Sequence, residues 1–249
     1  MCGIVGYIGP RQAATVLLPA LQRLEYRGYD SAGIATVNGE TLDVRKAVGK
    51  IVRLESLLTT DPPHGCVGIA HTRWATHGRP SDANAHPHVD CGSRLAIVHN
   101  GIIENYRELR KDLAREGHRF RSETDTEVIA HLIERHRANG LSEAVLRAAQ
   151  ELRGAYALVC IAGDAPDMLV AVRSGSSPLV IGVGDGEVFL ASDIPAILGE
   201  TKEVLILEEG EQALLTPEKI TVRTLDGAPV SRAVTTIPWE REAAEKGGY

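Results

Sequence analysis

The sequence predicts an α+β fold with helices stacked on antiparallel sheets, and three observations carry that expectation. From Gly154 onward the chain breaks into short apolar runs separated by turn residues, with connections too brief for helical crossovers between parallel strands. Asn38-Gly39 joins two further runs with a strong short-range hairpin signal. Helical patterns instead follow one another between Asn105 and Gly154.

Taken in order, Gly3 to Ile8 reads as a buried strand. Ala14, Leu17, Leu18, Leu21 and Leu24 then recur at helical spacing, with Pro19 expected to kink or shorten that helix. Ser31 to Val37 and Thr41 to Ala47 flank the Asn38-Gly39 turn, and Val67 to Thr72 and Leu95 to His99 are two more strands. The polar stretch Trp74 to Ser93, rich in Pro and His, is long for a connection and marks a functional loop. Asn105 with Glu108, and Thr124 with Glu127, match the capping box at a helix start, Gly117 and Gly140 end those helices, and Ser142 opens a third. Strands are then expected over 155–162, 168–172, 179–183, 187–191, 204–207 and 212–216, with Gly184-Asp185-Gly186 as a hairpin. No internal repeat is evident. Residues 1–225 are expected to form one domain, and the charged, aperiodic stretch 226–249 a linker toward a further domain.

Composition narrows the function. The 249 residues are 43% hydrophobic, enough for a packed core, and a net charge of −6 without a basic cluster argues against nucleic acid or an anionic membrane surface. No signal segment, membrane-length apolar run or myristoylation start is present, so a cytoplasmic protein acting on small solutes is expected. Cys2, Cys66, Cys91 and Cys160 show no close pairing and need form no disulfide.

Several residues carry chemistry, each with a plainer reading beside it. Once Met1 is removed, Cys2 holds a thiol (pKa ~8.5) next to an α-amine (~7.7 to 8.0) that can exchange its proton near neutral pH; alternatively it is a small apolar residue opening a strand. Arg73, closing a strand beside Trp74, Thr76 and His77, offers a planar fork for a carboxylate, or makes an ordinary ion pair. Asn100-Gly101 is either a tight turn or a pair of oxyanion donors. Asp125, expected in the first turn of a helix, complements the helix dipole or holds a ligand ammonium. His71, His77, His86, His88, Cys91 and His99 invite a metal reading, but their spacing fits no common zinc pattern, and loop ordering by hydrogen bonds is preferred.

The segments Cys2 to Gly6, Glu25 to Gly33, His71 to Gly78, Asn84 to His88, His99 to Asn105 and Ser122 to Glu127 together closely resemble the glutaminase domain of the glutamine:fructose-6-phosphate aminotransferase family. The resemblance covers almost the whole chain. It implies an N-terminal-nucleophile hydrolase fold, a four-layer α/β/β/α sandwich of two antiparallel sheets. It further implies attack by Cys2 on the side-chain amide of L-glutamine, with Asn100 and Gly101 stabilising the oxyanion. Arg73 would take the substrate carboxylate and Asp125 its ammonium, while Trp74, Thr76 and His77 line the pocket and Arg27 lies in a loop that covers the nucleophile. Glutamate and ammonia would be the products, and no metal or cofactor would be needed. C-terminal sugar-isomerase domains would be the partner, in an enzyme that can form a homodimer.

Two departures from that pattern stand out. Arg173-Ser174-Gly175-Ser176-Ser177-Pro178 is one serine longer than the family wording, and the chain stops where the family continues into its sugar domains. The rival readings are an N-terminal-nucleophile amidase for another amide and a regulatory glutamine-binding module without catalysis.

Overall fold

The first strand sets the layering. In β1 (Gly3–Ile8), Ile4 and Ile8 enter one apolar cluster while Val5 and Tyr7 enter another, so both faces of the strand are buried. An antiparallel strand covered on both sides reads as a continuous apolar run, which is why simple alternation is absent from its sequence. The computed structural model describes residues 2–75 and 77–238; Met1, Thr76 and residues 239–249 lie outside them.

After β1 come α1 (Ala13–Gln22), β2 (Ser31–Asn38), β3 (Thr41–Val48), α2 (Ile51–Thr60) and β4 (Val67–Arg73). The middle of the chain supplies β5 (His88–Val89), β6 (Leu95–Gly101), α3 (Tyr106–Arg115), α4 (Glu127–Arg135) and α5 (Leu141–Glu151). The rest is β7 (Tyr156–Ala162), β8 (Ala165–Ser174), β9 (Leu179–Val183), β10 (Val188–Ala191), β11 (Glu203–Leu207), β12 (Glu211–Leu215), β13 (Ile220–Thr224), β14 (Pro229–Val230) and β15 (Thr235–Thr236).

Two antiparallel sheets result, ordered β15-β11-β9-β10-β1-β4-β2-β3 and β14-β13-β12-β8-β7-β6-β5. Their facing sides share one core, in which Ile4, Ile8 and Ile69 of the first sheet meet Val98, Val159 and Leu169 of the second. Leu17, Leu21, Leu54 and Leu58 of α1 and α2 cover the outer face of the first sheet. Val128, Ile129, Leu132 and Val145 of α4 and α5 cover the second. The layers therefore run helix, sheet, sheet, helix.

Local expectations fail where tertiary contacts outweigh local chemistry. Pro19 does not end α1, which continues to Gln22. Val16, Leu17, Ala20 and Leu21 are buried along it, and roughly 1.5–3 kcal/mol for each large side chain exceeds the ~3 kcal/mol cost of an interior proline. The hairpin turn is shifted one residue from the expected Asn38-Gly39, because Asn38 pairs with Thr41 and the loop is Gly39-Glu40, with φ +62° at Gly39.

Neither capping box forms. The Asn105 side chain bridges the Glu151 carbonyl and the Arg153 N–H, tying the start of α3 to the end of α5. Thr124 bonds Ser122 and His88, whereas the Glu127 carboxylate accepts the N–H groups of Arg121 and Ser122 and holds the strand-like entry to α4. Helix α2 is an element the sequence reading did not identify. In the stretch expected to be linker, Pro229–Val230 pairs with β13 and Thr235–Thr236 with β11.

Candidate active site

Strand parity aims Cys2 at the gap between the sheets. It shares a face with Ile4 and Ile8, which enter the inter-sheet core, and His71 and Arg73 share the corresponding face of β4 with Ile69. Opposite them, Asn100 continues the inward face of β6 set by Ala96 and Val98. The core thus gives way to polar side chains at one end, where a cavity of about 400 Å³ opens. Cys2, Arg73, Trp74, Asn100, Gly101 and Asp125 line it together with the turn Ser176-Ser177-Pro178.

The backbone at Cys2 is tightly held. The Cys2 carbonyl accepts hydrogen bonds from Arg27 Nε and Asn100 Nδ2, each at 3.0 Å, and Arg27 in turn pairs with Asp193 at 2.7 Å. The Trp74 N–H donates to Cys2 Sγ at 3.2 Å. Burial nevertheless pushes the Cys2 thiol pKa up, outweighing that N–H and the nearby Arg73 charge, so the sulfur rests as a thiol and needs a base to react.

Asn100-Gly101 is not a tight turn, since both residues pair with β7, opposite Ala157 and Tyr156. Gly101 has φ +122°, and a Cβ there would stand 2.1 Å from the Ala155 carbonyl oxygen. Only glycine fits that backbone, which leaves its N–H at the strand end beside Asn100. The Asn100 amide is oriented from behind: His71 Nε2 lies 3.1 Å from both Asn100 Oδ1 and the His99 carbonyl oxygen. Both are acceptors, so Nε2 carries the proton, and burial drives the His71 pKa down to about 3. A neutral histidine therefore turns Asn100 Oδ1 away and Nδ2 toward Cys2.

Arg73 and Asp125 supply opposite charges to the cavity. Arg73 is buried, donates through Nη2 to the carbonyls of His77 and Gly78, and comes no closer than 3.9 Å to Asp30 through Nη1. Among the described residues that Nη1 has no hydrogen-bond partner. Asp125 precedes α4 rather than lying in its first turn; Oδ2 accepts the Ile103 N–H at 2.8 Å, and Oδ1 is 3.8 Å from His77 Nδ1. His77 stacks edge-on against Tyr106, and Trp74 is half exposed against Tyr29 at the rim.

Of the residues expected here, Cys2, Arg27, Arg73, Trp74, His77, Asn100, Gly101 and Asp125 all line one cavity, and Thr76 lies outside the described residues. Arg27 is buried and donates to the Cys2 carbonyl. His71 and Asp193 support the site without having been singled out for it, because their partners come from the opposite sheet and from residues more than 160 positions away. The serine-rich turn with the extra residue forms part of the cavity wall. His71, His86, His88 and His99 stack as a buried group, with His86 and His99 on the cavity wall, whereas Cys91 turns away from them.

This geometry, a thiol in one cavity with Asn100 and Gly101 at the end of two facing sheets, agrees with comparison to known proteins. The glutamine amidotransferase domain family matches residues 71–199, and the chain belongs to that family. It is 58% identical, over its whole length, to the glutamine–fructose-6-phosphate aminotransferase (isomerizing) of Symbiobacterium thermophilum, and 53% identical to that of Thermococcus kodakarensis. The chain spans only 41% and 42% of those relatives. Among solved structures, the glutamine phosphoribosylpyrophosphate amidotransferase of B. subtilis superposes with a TM-score of 0.79 at 28% identity, over 90% of this chain and 49% of that one. A glutamine aminotransferase class-II domain protein from Silicibacter pomeroyi, at 16% identity and TM-score 0.61 over 92% of this chain and all of that one, shares the fold. The fold is that of the N-terminal-nucleophile hydrolases.

Proposed function

We propose that the chain hydrolyses the side-chain amide of L-glutamine through a thioester on Cys2. With Met1 removed, the α-amine of Cys2 takes the thiol proton as sulfur attacks the amide carbon. The oxyanion that forms accepts hydrogen bonds from the Gly101 N–H and from the Asn100 Nδ2 hydrogen not spent on the Cys2 carbonyl. The ammonium then returns its proton to the leaving nitrogen, ammonia departs, and water attacks the γ-glutamyl thioester to release glutamate and the thiol. Arg73 binds the substrate α-carboxylate and Asp125 its α-ammonium, with Trp74, Thr76, His77 and Arg27 around them.

The observation that carries this reading is the buried Arg73 Nη1, without a hydrogen bond among the described residues, in the same cavity as Cys2 and the Asp125 carboxylate. A free amino acid matches both charges, whereas an amide lacking them offers neither group a ligand partner. We further propose that the ammonia serves amination of fructose 6-phosphate to glucosamine 6-phosphate in C-terminal sugar-isomerase domains. We place that assembly in the cytoplasm, as a homodimer of the full-length enzyme. No described helix is long and apolar enough to cross a membrane.

Intact mass before and after treatment with a glutamine-like diazoketone tests the mechanism. The expected result is protein one methionine lighter than the sequence, then a single adduct on Cys2, with Cys2→Ala binding glutamine but releasing no glutamate. Full turnover by protein that retains Met1 would overturn it.

A further inference from the structure

We propose that Cys91, His118, His131 and Glu134 form a zinc-binding site separate from the cavity around Cys2. None of the four lines that cavity. Cys91 sits in the turn between β5 and β6, His118 follows α3, and His131 and Glu134 lie three residues apart on α4, hence on one helix face. Each offers one donor atom, and these atoms all fall within 4.8 Å of one another.

Four of the six donor separations lie near those of a tetrahedral site. Cys91 Sγ is 3.6 Å from His118 Nδ1 and 3.5 Å from His131 Nδ1, and Glu134 Oε2 is 2.8 Å and 3.1 Å from the same nitrogens. Zinc bonds of ~2.3 Å to sulfur and ~2.0–2.1 Å to nitrogen and oxygen put neighbouring ligands roughly 3.3–3.6 Å apart. The sulfur–nitrogen separations already have that value, and the nitrogen–oxygen pairs need open by only a few tenths of an ångström.

Hydrogen bonding alone serves the cluster poorly. Glu134 Oε2 is approached by two imidazole nitrogens and by the Cys91 N–H at 3.3 Å, while Cys91 Sγ receives the Arg119 N–H at 3.4 Å. With both Nδ1 protons spent on the carboxylate, neither ring nitrogen can accept the thiol proton. Zinc resolves this: the thiol proton leaves to solvent, both imidazoles present Nδ1 lone pairs, and thiolate plus carboxylate balance the divalent ion.

The surroundings suit a bound ion. His131 Nε2, buried without a hydrogen bond among the described residues, faces Glu127 Oε1 at 3.8 Å, the carboxylate–histidine arrangement that orients a metal-bound ring. Cys91, His118 and Glu134 are only partly buried, which leaves a path from solvent. The ion would fasten the β5–β6 turn and the end of α3 to α4, so its role is structural.

The test uses the whole chain, stripped with a chelator and titrated with cobalt(II) as a spectroscopic stand-in. One equivalent should bind with a near-ultraviolet thiolate-to-cobalt band and the intense visible bands of a tetrahedral site, and zinc should displace it and raise the melting temperature. Cys91→Ser should abolish the near-ultraviolet band and, like His118→Ala, weaken zinc at least about 10-fold. Cys66→Ser and Cys2→Ala should change neither. A weak octahedral-type spectrum, a thiolate band that survives Cys91→Ser, or its loss in Cys2→Ala would each overturn the site.

Discussion

Two groups of histidines drawn from neighbouring sequence behave in opposite ways. Beside the cavity, His71, His86, His88 and His99 are buried, and burial lowers all four pKa values, His71 to about 3 and His99 to about 4. On α4, His131 is equally inaccessible, yet although burial opposes its charge, Glu127 and Glu134 raise its pKa. Carboxylates make the difference. The first group serves as fixed hydrogen-bond partners around Asn100 and Thr126, and the second gathers carboxylates in the way a cation site requires. Residue type alone therefore says little about what a histidine does; the sign of its neighbours says more.

The sharpest way to break this comparison is Asn100→Ala. If the neutral group exists to aim the oxyanion donor, glutamate release should fall about 10²–10³-fold in kcat while cobalt binding at Cys91 stays intact. Steady-state kinetics beside a cobalt titration would reveal any cross-talk between the two regions. His71→Ala should cost less, about 10–100-fold in kcat with KM little changed, because the effect passes through Asn100. His71→Gln, whose amide can donate from a similar position, should recover part of it, and His71→Ala in the Asn100→Ala background should cost almost nothing more.

The pH dependence of stability has a definite sign. For the four depressed histidines the unfolded chain binds more protons than the native one below about pH 6.5, so unfolding free energy should fall as pH drops through that value. Each group contributes up to roughly 1.4 kcal/mol per pH unit until its native form titrates. Denaturant titrations at pH 7, 6 and 5 that gave a flat profile would contradict a neutral cluster. Smallest of all, Cys91→Ser should leave glutamate release unchanged, since its side chain lines no part of the cavity.

Much of this was legible from residues in order. The strands around Cys2, the helices before Gly154 and the antiparallel class all follow from runs and turn signals. What stayed hidden depends on distance along the chain. His71 is informative only once Asn100 of the other sheet stands beside it, and Cys91 pairs not with the nearer histidines but with residues 27 and 40 positions on. Strands such as β5, β14 and β15 are two residues long and exist only because a partner strand is present. The capping boxes misled because Asn105 and Glu127 found stronger partners in neighbouring segments.

The two short strands near the end of the described chain have a practical consequence. Pro229–Val230 closes the rim of one sheet beside β13, and Thr235–Thr236 closes the rim of the other beside β11, so a single stretch clasps both halves of the sandwich. Trimming the protein back to Leu225 would bare two rows of unsatisfied amides and carbonyls at once, inviting strand-to-strand aggregation in a molecule whose catalytic end had not been touched.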